Sequence, residues 1–323
     1  MSRRYVNTLI DGETIDEVFL LADKQLRVNR NADLFLLAQL RDRTGQVSAL
    51  LWNVDEEDMA PLQAGQYVRV RGKAQLYQGN LQLILTSIQR VSDDTIDQEE
   101  FVQETSVETG VLFTRLTEIV ATVKDPEIRG LLEAILDDST LVDGLMRAPA
   151  GVRMHHAYPG GLLEHVVGLL EAGLRIVDLY PTLDRSLLVA GIILHDIGKV
   201  RELGFETTLN YTDQGQLVGH IVIGVEIVNE KLPEVELRTG QPMSEETVLR
   251  IKHMILSHHG TYEFGSPRLP MTPEAIALHH LDNLDAKLNE FASLMAADPN
   301  SGSPWTPFAP HLQRKLFKGA PRP

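Results

Sequence analysis

The sequence predicts a multidomain α and β chain, with a small β-barrel at the N-terminus followed by an all-α domain. Three observations predict it. From about Glu17 to Val91, apolar and polar residues alternate in short runs broken by turn residues, the pattern of strands with one buried face. From Val111 the apolar spacing becomes helical and stays so to about Ala297. The length of 323 residues exceeds one small domain and suits two with a connector.

In the first part, Val18 to Leu21 is apolar. Leu34–Leu40 and Gln46–Trp52 flank Asp42-Arg43-Thr44-Gly45, a hairpin turn with glycine where a positive φ is easiest. Val54 to Leu62 suits a short helix, with Asp55, Glu56 and Glu57 in its first turn, where acids favour the helix dipole. Tyr67–Gln75 and Asn80–Arg90 form a second hairpin around Gln78-Gly79-Asn80. Four or five strands with a helix after the third fit an OB-fold barrel; an SH3-like barrel is the alternative on pattern alone.

The segment from Ser92 to Thr109 is acidic and without period. Beyond it Leu112, Leu116, Ile119, Val120 and Val123 share one helical stripe, and Asp125-Pro126 opens a helix that runs through Leu136. The later helices show no convincing strand pair between them. The tail is rich in proline and glycine, with one aromatic cluster from Trp305 to Phe308. The expected organisation is therefore 1–92 as the barrel, 93–148 as an acidic linker with connecting helices, 149–300 as the helical domain and 301–323 as a tail.

Hydrophobic residues make up 43% of the chain, enough for a real core. No apolar run approaches the roughly 20 residues of a membrane helix, and Met1-Ser2-Arg3-Arg4 leads into a polar segment rather than a signal peptide. The expectation is a cytoplasmic protein. The absence of cysteine excludes disulfides, thiolate metal sites and cysteine nucleophiles. Imidazole and carboxylate ligands suit Mn, Fe, Co, Ni, Mg or Zn, but not an iron–sulfur cluster. The net charge of −15 argues against strong non-specific binding to nucleic acid. Its distribution qualifies this. Residues 1–92 hold 11 basic and 11 acidic side chains, whereas 93–150 hold 4 and 14. The excess sits in the connector, which leaves room for a basic face on the barrel.

Ten of the eleven histidines lie between His155 and His280, in discrete clusters. His165 closes Gly160-Gly161-Leu162-Leu163-Glu164-His165. His195-Asp196 ends the apolar helix Leu187–Leu194, with Lys199 three residues on. His220 follows Gly219, His258-His259 precede Gly260, and Asp282 lies in Leu281-Asp282-Asn283-Leu284-Asp285. Any one of these alone reads as a hydrogen-bonded core or surface residue. The order His, His-Asp, Asp along an all-helical region resembles the HD-domain metal phosphohydrolases. That resemblance implies His165, His195, Asp196 and Asp282 as core metal ligands. His220, His258 and His259 match the extra histidines of two-metal HD domains. A carboxylate such as Asp196 can bridge two cations, and paired cations can share a hydroxide, lower its pKa and clamp an in-line phosphoryl displacement.

Lys199 projects to the side of Asp196 on a helix, so it is a candidate to neutralise the transition-state phosphate or protonate the leaving oxygen. Its bland reading is an exposed lysine at a helix end. His156, just before the Gly-Gly turn, is a candidate to face the scissile phosphate. His253 is expected at a helix surface or behind the site, and His279 and His280 are expected to be structural.

Longer words narrow the family. His155-His156-Ala157-Tyr158-Pro159-Gly160-Gly161-Leu162-Leu163-Glu164-His165, Ser257-His258-His259-Gly260, Glu263-Phe264-Gly265-Ser266-Pro267 and Leu281-Asp282-Asn283-Leu284-Asp285-Ala286-Lys287 together resemble the YhaM-type 3′→5′ exoribonucleases. Asp42-Arg43-Thr44-Gly45, Leu51-Trp52 and Trp305-Thr306 are similar to that family too. The resemblance covers nearly the whole chain. It implies an OB-fold domain holding single-stranded RNA or DNA, an HD domain removing nucleoside monophosphates from the 3′ end, and manganese or a similar divalent ion, with two ions expected.

The residues agree in kind. Tyr67, Arg69, Arg71 and Lys73 share one strand face while Val68 and Val70 face the core. Arg41 and Arg43 flank the other hairpin, and Trp52 and Tyr77 are candidates to stack on bases. Aromatic platforms in a basic groove are how OB folds hold single strands. The bland reading is a solvated strand face with core aromatics. Several barrels assembled on one strand in a homo-oligomer would add avidity. Two other functions stay open. One is a different HD enzyme, acting on cyclic dinucleotides (whose Gly-Tyr-Pro motif is absent here) or on nucleotides. The other is a non-catalytic nucleic-acid-binding factor led by its OB domain.

Overall fold

The computed structural model describes residues 3–29, 33–77, 80–97, 100–101, 108–151, 158–204, 210–296, 298 and 303–319. The chain divides into two compact units, residues 1–103 with 291–323, and residues 104–290.

The first unit is built on a closed five-stranded barrel. Its strands are β1 (Thr14–Val28), β2 (Leu34–Asp42), β3 (Gly45–Trp52), β4 (Tyr67–Tyr77) and β5 (Asn80–Arg90), with a short helix α1 (Glu56–Met59) between β3 and β4. The strand order is β1-β2-β3-β5-β4, closed by pairing of β1 with β4. Only β3 and β5 run parallel. This is the OB-fold arrangement, with the helix in the expected place. Alternation sorts the side chains as the sequence indicates: Leu36, Ala38 and Leu40 of β2 and Val68 and Val70 of β4 are buried with Phe19, Leu21, Leu83 and Leu85 in one core.

The barrel departs from expectation in two places. Strand β1 is longer than its apolar run, because a register shift between Leu21 and Asp23 lets the polar half go on pairing with β2. The turn at Asp42–Gly45 does not use a positive φ at Gly45, which is absent from the positive-φ glycines. It is organised by the buried Asp42 carboxylate, which accepts from Thr44 N at 2.7 Å, Thr44 Oγ1 at 2.6 Å and Val6 N at 2.6 Å. Asp42→Ala strands those donors, and we expect a loss of about 2 kcal/mol in the unfolding of the barrel unit, read from its urea midpoint. Of the second expected hairpin turn, Gln78 and Gly79 lie outside the described residues.

The second unit is helical: α2 (Thr109–Ala121), α3 (Pro126–Leu136), α4 (Ser139–Arg147), α5 (Gly161–Ile176), α6 (Arg185–Leu194), α7 (Lys199–Glu202), α8 (Asp213–Val218), α9 (His220–Thr239), α10 (Glu245–Ser257) and α11 (Pro273–Ala296). Helix starts follow their caps. Asp125, Asp138, Asp184 and Ser244 accept from backbone N–H groups in the first turns of α3, α4, α6 and α10, the side-chain capping that orphan amides require. Leu112, Leu116, Ile119, Val120 and Val123 are all buried, in one core with Leu163, Val166, Ile192 and Ile255. The helices of 109–147 are thus part of that core. One strand pair does exist here, contrary to the all-helical reading. It is the short hairpin β6 (Leu203–Gly204) and β7 (Asn210–Tyr211), whose two-residue strands are too short for any period to register. Among the described residues, no helix is long and apolar enough to cross a membrane.

Candidate metal centre

Five helices deliver the histidines and acids to one place. His165 lies in the second turn of α5. His195 and Asp196 follow the last residue of α6, His220 is the first residue of α9, His258 and His259 follow α10, and Asp282 lies within α11. Their rings form a continuous chain. Centroids lie 5.4 Å apart for His165–His195, 5.0 Å for His195–His258, 4.3 Å for His258–His259 and 5.3 Å for His220–His259. Two sets of donor atoms, each mutually within 4.8 Å, could hold a metal ion: His165, His195 and Asp282, and His220, His258 and His259.

Each of the five rings is oriented through Nδ1. His195 Nδ1–H donates to Ile192 O and His258 Nδ1–H to Ile255 O, both at 2.8 Å. His259 donates to Phe264 O at 2.9 Å, His220 to Glu202 Oε1 at 3.1 Å and His165 to Asp285 Oδ2 at 2.7 Å. Carbonyls and carboxylates only accept, so Nδ1 carries the proton and Nε2 presents a lone pair, the form in which histidine binds metal.

Those lone pairs face carboxylate oxygens. His165 Nε2 is 3.3 Å from Asp282 Oδ1 and His195 Nε2 is 3.3 Å from Asp196 Oδ2. On its other oxygen, Asp196 Oδ1 is 3.5 Å from His220 Nε2 and 3.7 Å from His258 Nε2. His195 Nε2, His220 Nε2 and Asp196 Oδ1 are buried and make no hydrogen bond to a described residue. Buried acceptors turned on one another are costly unless a cation lies between them. Divalent ions fit this donor set.

The charges are arranged accordingly. Burial works against ionised Asp196, but Lys199 and His195 outweigh it and hold the carboxyl well below its ordinary range. Asp282 is likewise held low, mainly by His165. Burial would lower His165, yet Asp282 and Asp285 raise it to about 9, so a cation bound at its Nε2 must displace a proton there. Burial, with His195 adding to it, keeps His258 well below the ordinary histidine value. Lys199 is partly buried, which works against its charge, yet Asp196 outweighs this and raises it. Its Nζ donates to Asp196 Oδ2 and to Ala150 O, both at 2.6 Å. A fixed cation fastened to Asp196 is a stronger assignment for this side chain than an exposed lysine.

Two residues that the sequence reading left out support the ligands. Asp285 orients His165, and buried Glu202 accepts from both the backbone N–H and Nδ1 of His220, at 3.0 and 3.1 Å. Asp285 is one helical turn from Asp282, so it was findable once α11 was aligned on the site. Asp285→Ala is expected to weaken metal binding about 10- to 100-fold, measured by competition with a chelating dye.

His279 also helps to build the turn. Its Nδ1–H donates to His258 O at 2.8 Å, and its ring fills the space where a side chain on Gly260 would sit, 2.1 Å from the nearest ring atom. Gly260 has φ +80°, so this turn after His259 needs glycine twice over. His253 accepts from Met271 N at 2.8 Å, away from the donor sets. His156 lies outside the described residues.

On the barrel, Trp52 is 46% exposed and stacks beside Phe35 of β2, centroids 4.9 Å apart, so it is not a core residue. Arg41 is on the same outer row of β2, paired with Gln46. Arg43 does not share that row; its guanidinium stacks 4.8 Å over Tyr5. Arg69, Arg71, Lys73 and Tyr77 are exposed on β4. The two arginines are tied to Asp16 of β1, at 2.6 and 3.0 Å, which offsets part of their charge. Phe35 is the stacking residue the sequence reading missed.

The barrel and the His/Asp cluster define an HD-domain protein that carries an OB-fold. Family models agree: residues 162–287 match the HD domain and residues 22–91 the OB-fold nucleic acid binding domain. The chain is 36% identical over 279 residues to the 3′-5′ exoribonuclease YhaM of Bacillus subtilis (strain 168), covering 86% of each chain. It is 36% identical over 279 residues to the protein of that name from Listeria monocytogenes serotype 4b (strain F2365), covering 86% of this chain and 87% of that one. The chain belongs to the YhaM 3′-5′ exoribonuclease family.

Proposed function

We propose that this chain is a metal-dependent exoribonuclease that removes nucleoside monophosphates from the 3′ end of single-stranded RNA, using two divalent ions, with manganese the first candidate. The observation that carries this reading is the pair of three-residue donor sets with the Asp196 carboxylate turned one oxygen to each side. Bound ions there would polarise the phosphodiester and acidify water. His165, His195 and Asp282 would hold one, His220, His258 and His259 the other, and Asp196 both. Asp285, Glu202 and the carbonyls of Ile192, Ile255 and Phe264 keep every ring in its ligating form. Lys199 holds Asp196 ionised and in place.

Hydrolysis joins a water oxygen to phosphorus and breaks the bond to the 3′ oxygen. The shortened strand regains a 3′ hydroxyl and a 5′ monophosphate leaves. The Trp52–Phe35 pair supplies a surface on which a base can stack, with Arg41 on the same row for phosphate. Single-stranded DNA would stack on the same surface.

The test is incubation of the protein with Mn²⁺ and 5′-end-labelled RNA. A ladder shortening from the 3′ end together with mononucleotides is expected. Intact RNA alongside hydrolysis of a cyclic dinucleotide would replace this reading with another HD phosphodiesterase.

A further inference from the structure

The C-terminal segment inverts the usual sorting of side chains. Residues 304–309 lie antiparallel to 314–318, tied by Thr306 N to Leu316 O at 2.9 Å, Leu316 N to Thr306 Oγ1 at 2.9 Å, Ala309 N to Arg314 O at 2.9 Å and Lys318 N to Pro304 O at 2.7 Å. Thr306, Leu312 and Leu316 are buried, while Trp305, Phe308 and Phe317 are 49%, 56% and 58% exposed. Burying a large aromatic gains more than burying leucine, so a segment folded only for its own stability would turn these rings inward. Instead Trp305 and Phe317 face each other across the pair, with centroids 4.9 Å apart and planes at 53°. They form the structural cluster, in place of the sequence neighbours Trp305 and Phe308. Lys315 shares the side of Phe317 by strand alternation and is exposed, as is Arg314.

The charge is equally one-sided. In a chain of net charge −15, residues 299–323 carry four basic side chains and no acidic one. Asp298 pairs with Lys318 at 2.5 Å, which leaves Arg314 and Lys315 as the exposed cations beside the rings, and flat rings beside cations suit a flexible polyanion that carries rings of its own. Binding to an anionic bilayer scales with the apolar area that enters it, and Leu312 and Leu316 are turned in.

We propose that Trp305, Phe317 and Lys315 form a stacking platform for single-stranded RNA, additional to the outer face of the barrel. The identity of the ligand rests on the exoribonuclease reading.

The chain has two tryptophans, so Trp52→Phe leaves Trp305 as the only one in the full-length protein. In chelator, which stops cleavage, addition of a 20-nucleotide oligouridylate should quench the Trp305 emission. The double substitution Trp305→Ala with Phe317→Ala should weaken Kd for that strand about tenfold and leave dinucleotide hydrolysis unchanged, whereas Trp305→Phe should keep most of the affinity. Unaltered emission at saturating RNA, or an unchanged Kd in the double variant, would overturn the platform. So would emission that responds to phosphatidylserine vesicles but not to RNA. The two readings fail separately. Binding and quenching without any cleavage would support the platform and sink the exoribonuclease, and cleavage with an unchanged Kd would do the reverse. Both rings are exposed, and far-ultraviolet circular dichroism checks that each variant is folded.

Discussion

Replacing Asp196 with asparagine is expected to lower turnover on single-stranded RNA about a thousandfold or more while leaving Kd for the strand unchanged. The substitution keeps the shape of the side chain, so the argument rests on charge and donors. One oxygen of Asp196 accepts from the Lys199 ammonium at 2.6 Å and faces His195 Nε2. The other faces the Nε2 atoms of His220 and His258. An amide must place its NH₂ on one of these sides. Toward Lys199 it sets donor against donor. Toward His220 and His258 it fills their lone pairs with N–H and takes the place of a cation. Either way the negative charge shared by the two donor sets is gone. Rates on end-labelled RNA and metal content by elemental analysis check both halves. A variant that keeps a tenth of the wild-type rate would remove Asp196 from the site.

The second large effect is expected at a residue that binds nothing. A Cβ on Gly198 would stand 2.0 Å from His220 O and 2.8 Å from Gly224 N. Both are backbone atoms of α9 and cannot rotate aside. Gly198→Ala must therefore push the start of α7 from the first turn of α9, the turn that carries His220. We expect a stability loss of about 1–3 kcal/mol, a metal content lower by one ion, and a rate on RNA reduced about a hundredfold. Gly224→Ala is the control, since its nearest neighbour outside the helix would be Ile255 Cγ2 at 3.4 Å. Equal metal content in wild type and Gly198→Ala would show that His220 does not depend on this packing.

How far the sequence could be read follows from the range of each signal. The barrel strands were legible because burying one face imposes a period of two, visible within each strand. Register is not local, so the capture of Arg69 and Arg71 by Asp16, and the pairing of Phe35 with Trp52, could not be seen before the strands were aligned. The turn at Asp42 was legible as a turn, but its mechanism was not. Glycine suggested a backbone solution, whereas a buried carboxylate supplies it. In the helical unit His195-Asp196 and the scattered histidines stood out because such residues are uncommon in apolar helices. Glu202 and Asp285 did not, because an acid on a helix looks the same whether it faces solvent or a histidine 18 or 120 residues away along the chain.

The hydrogen bonds at His195 and His258 reach the carbonyls three residues earlier, at the last turns of α6 and α10. Carbonyls in that position have no amide to receive. Each ring therefore closes the helix that presents it, and a frayed helix end is a lost ligand. Occupation of the site and unwinding of these two helix ends exclude one another. Amide hydrogens in the final turns of α6 and α10 should exchange more slowly with metal present than with chelator, with no substrate added.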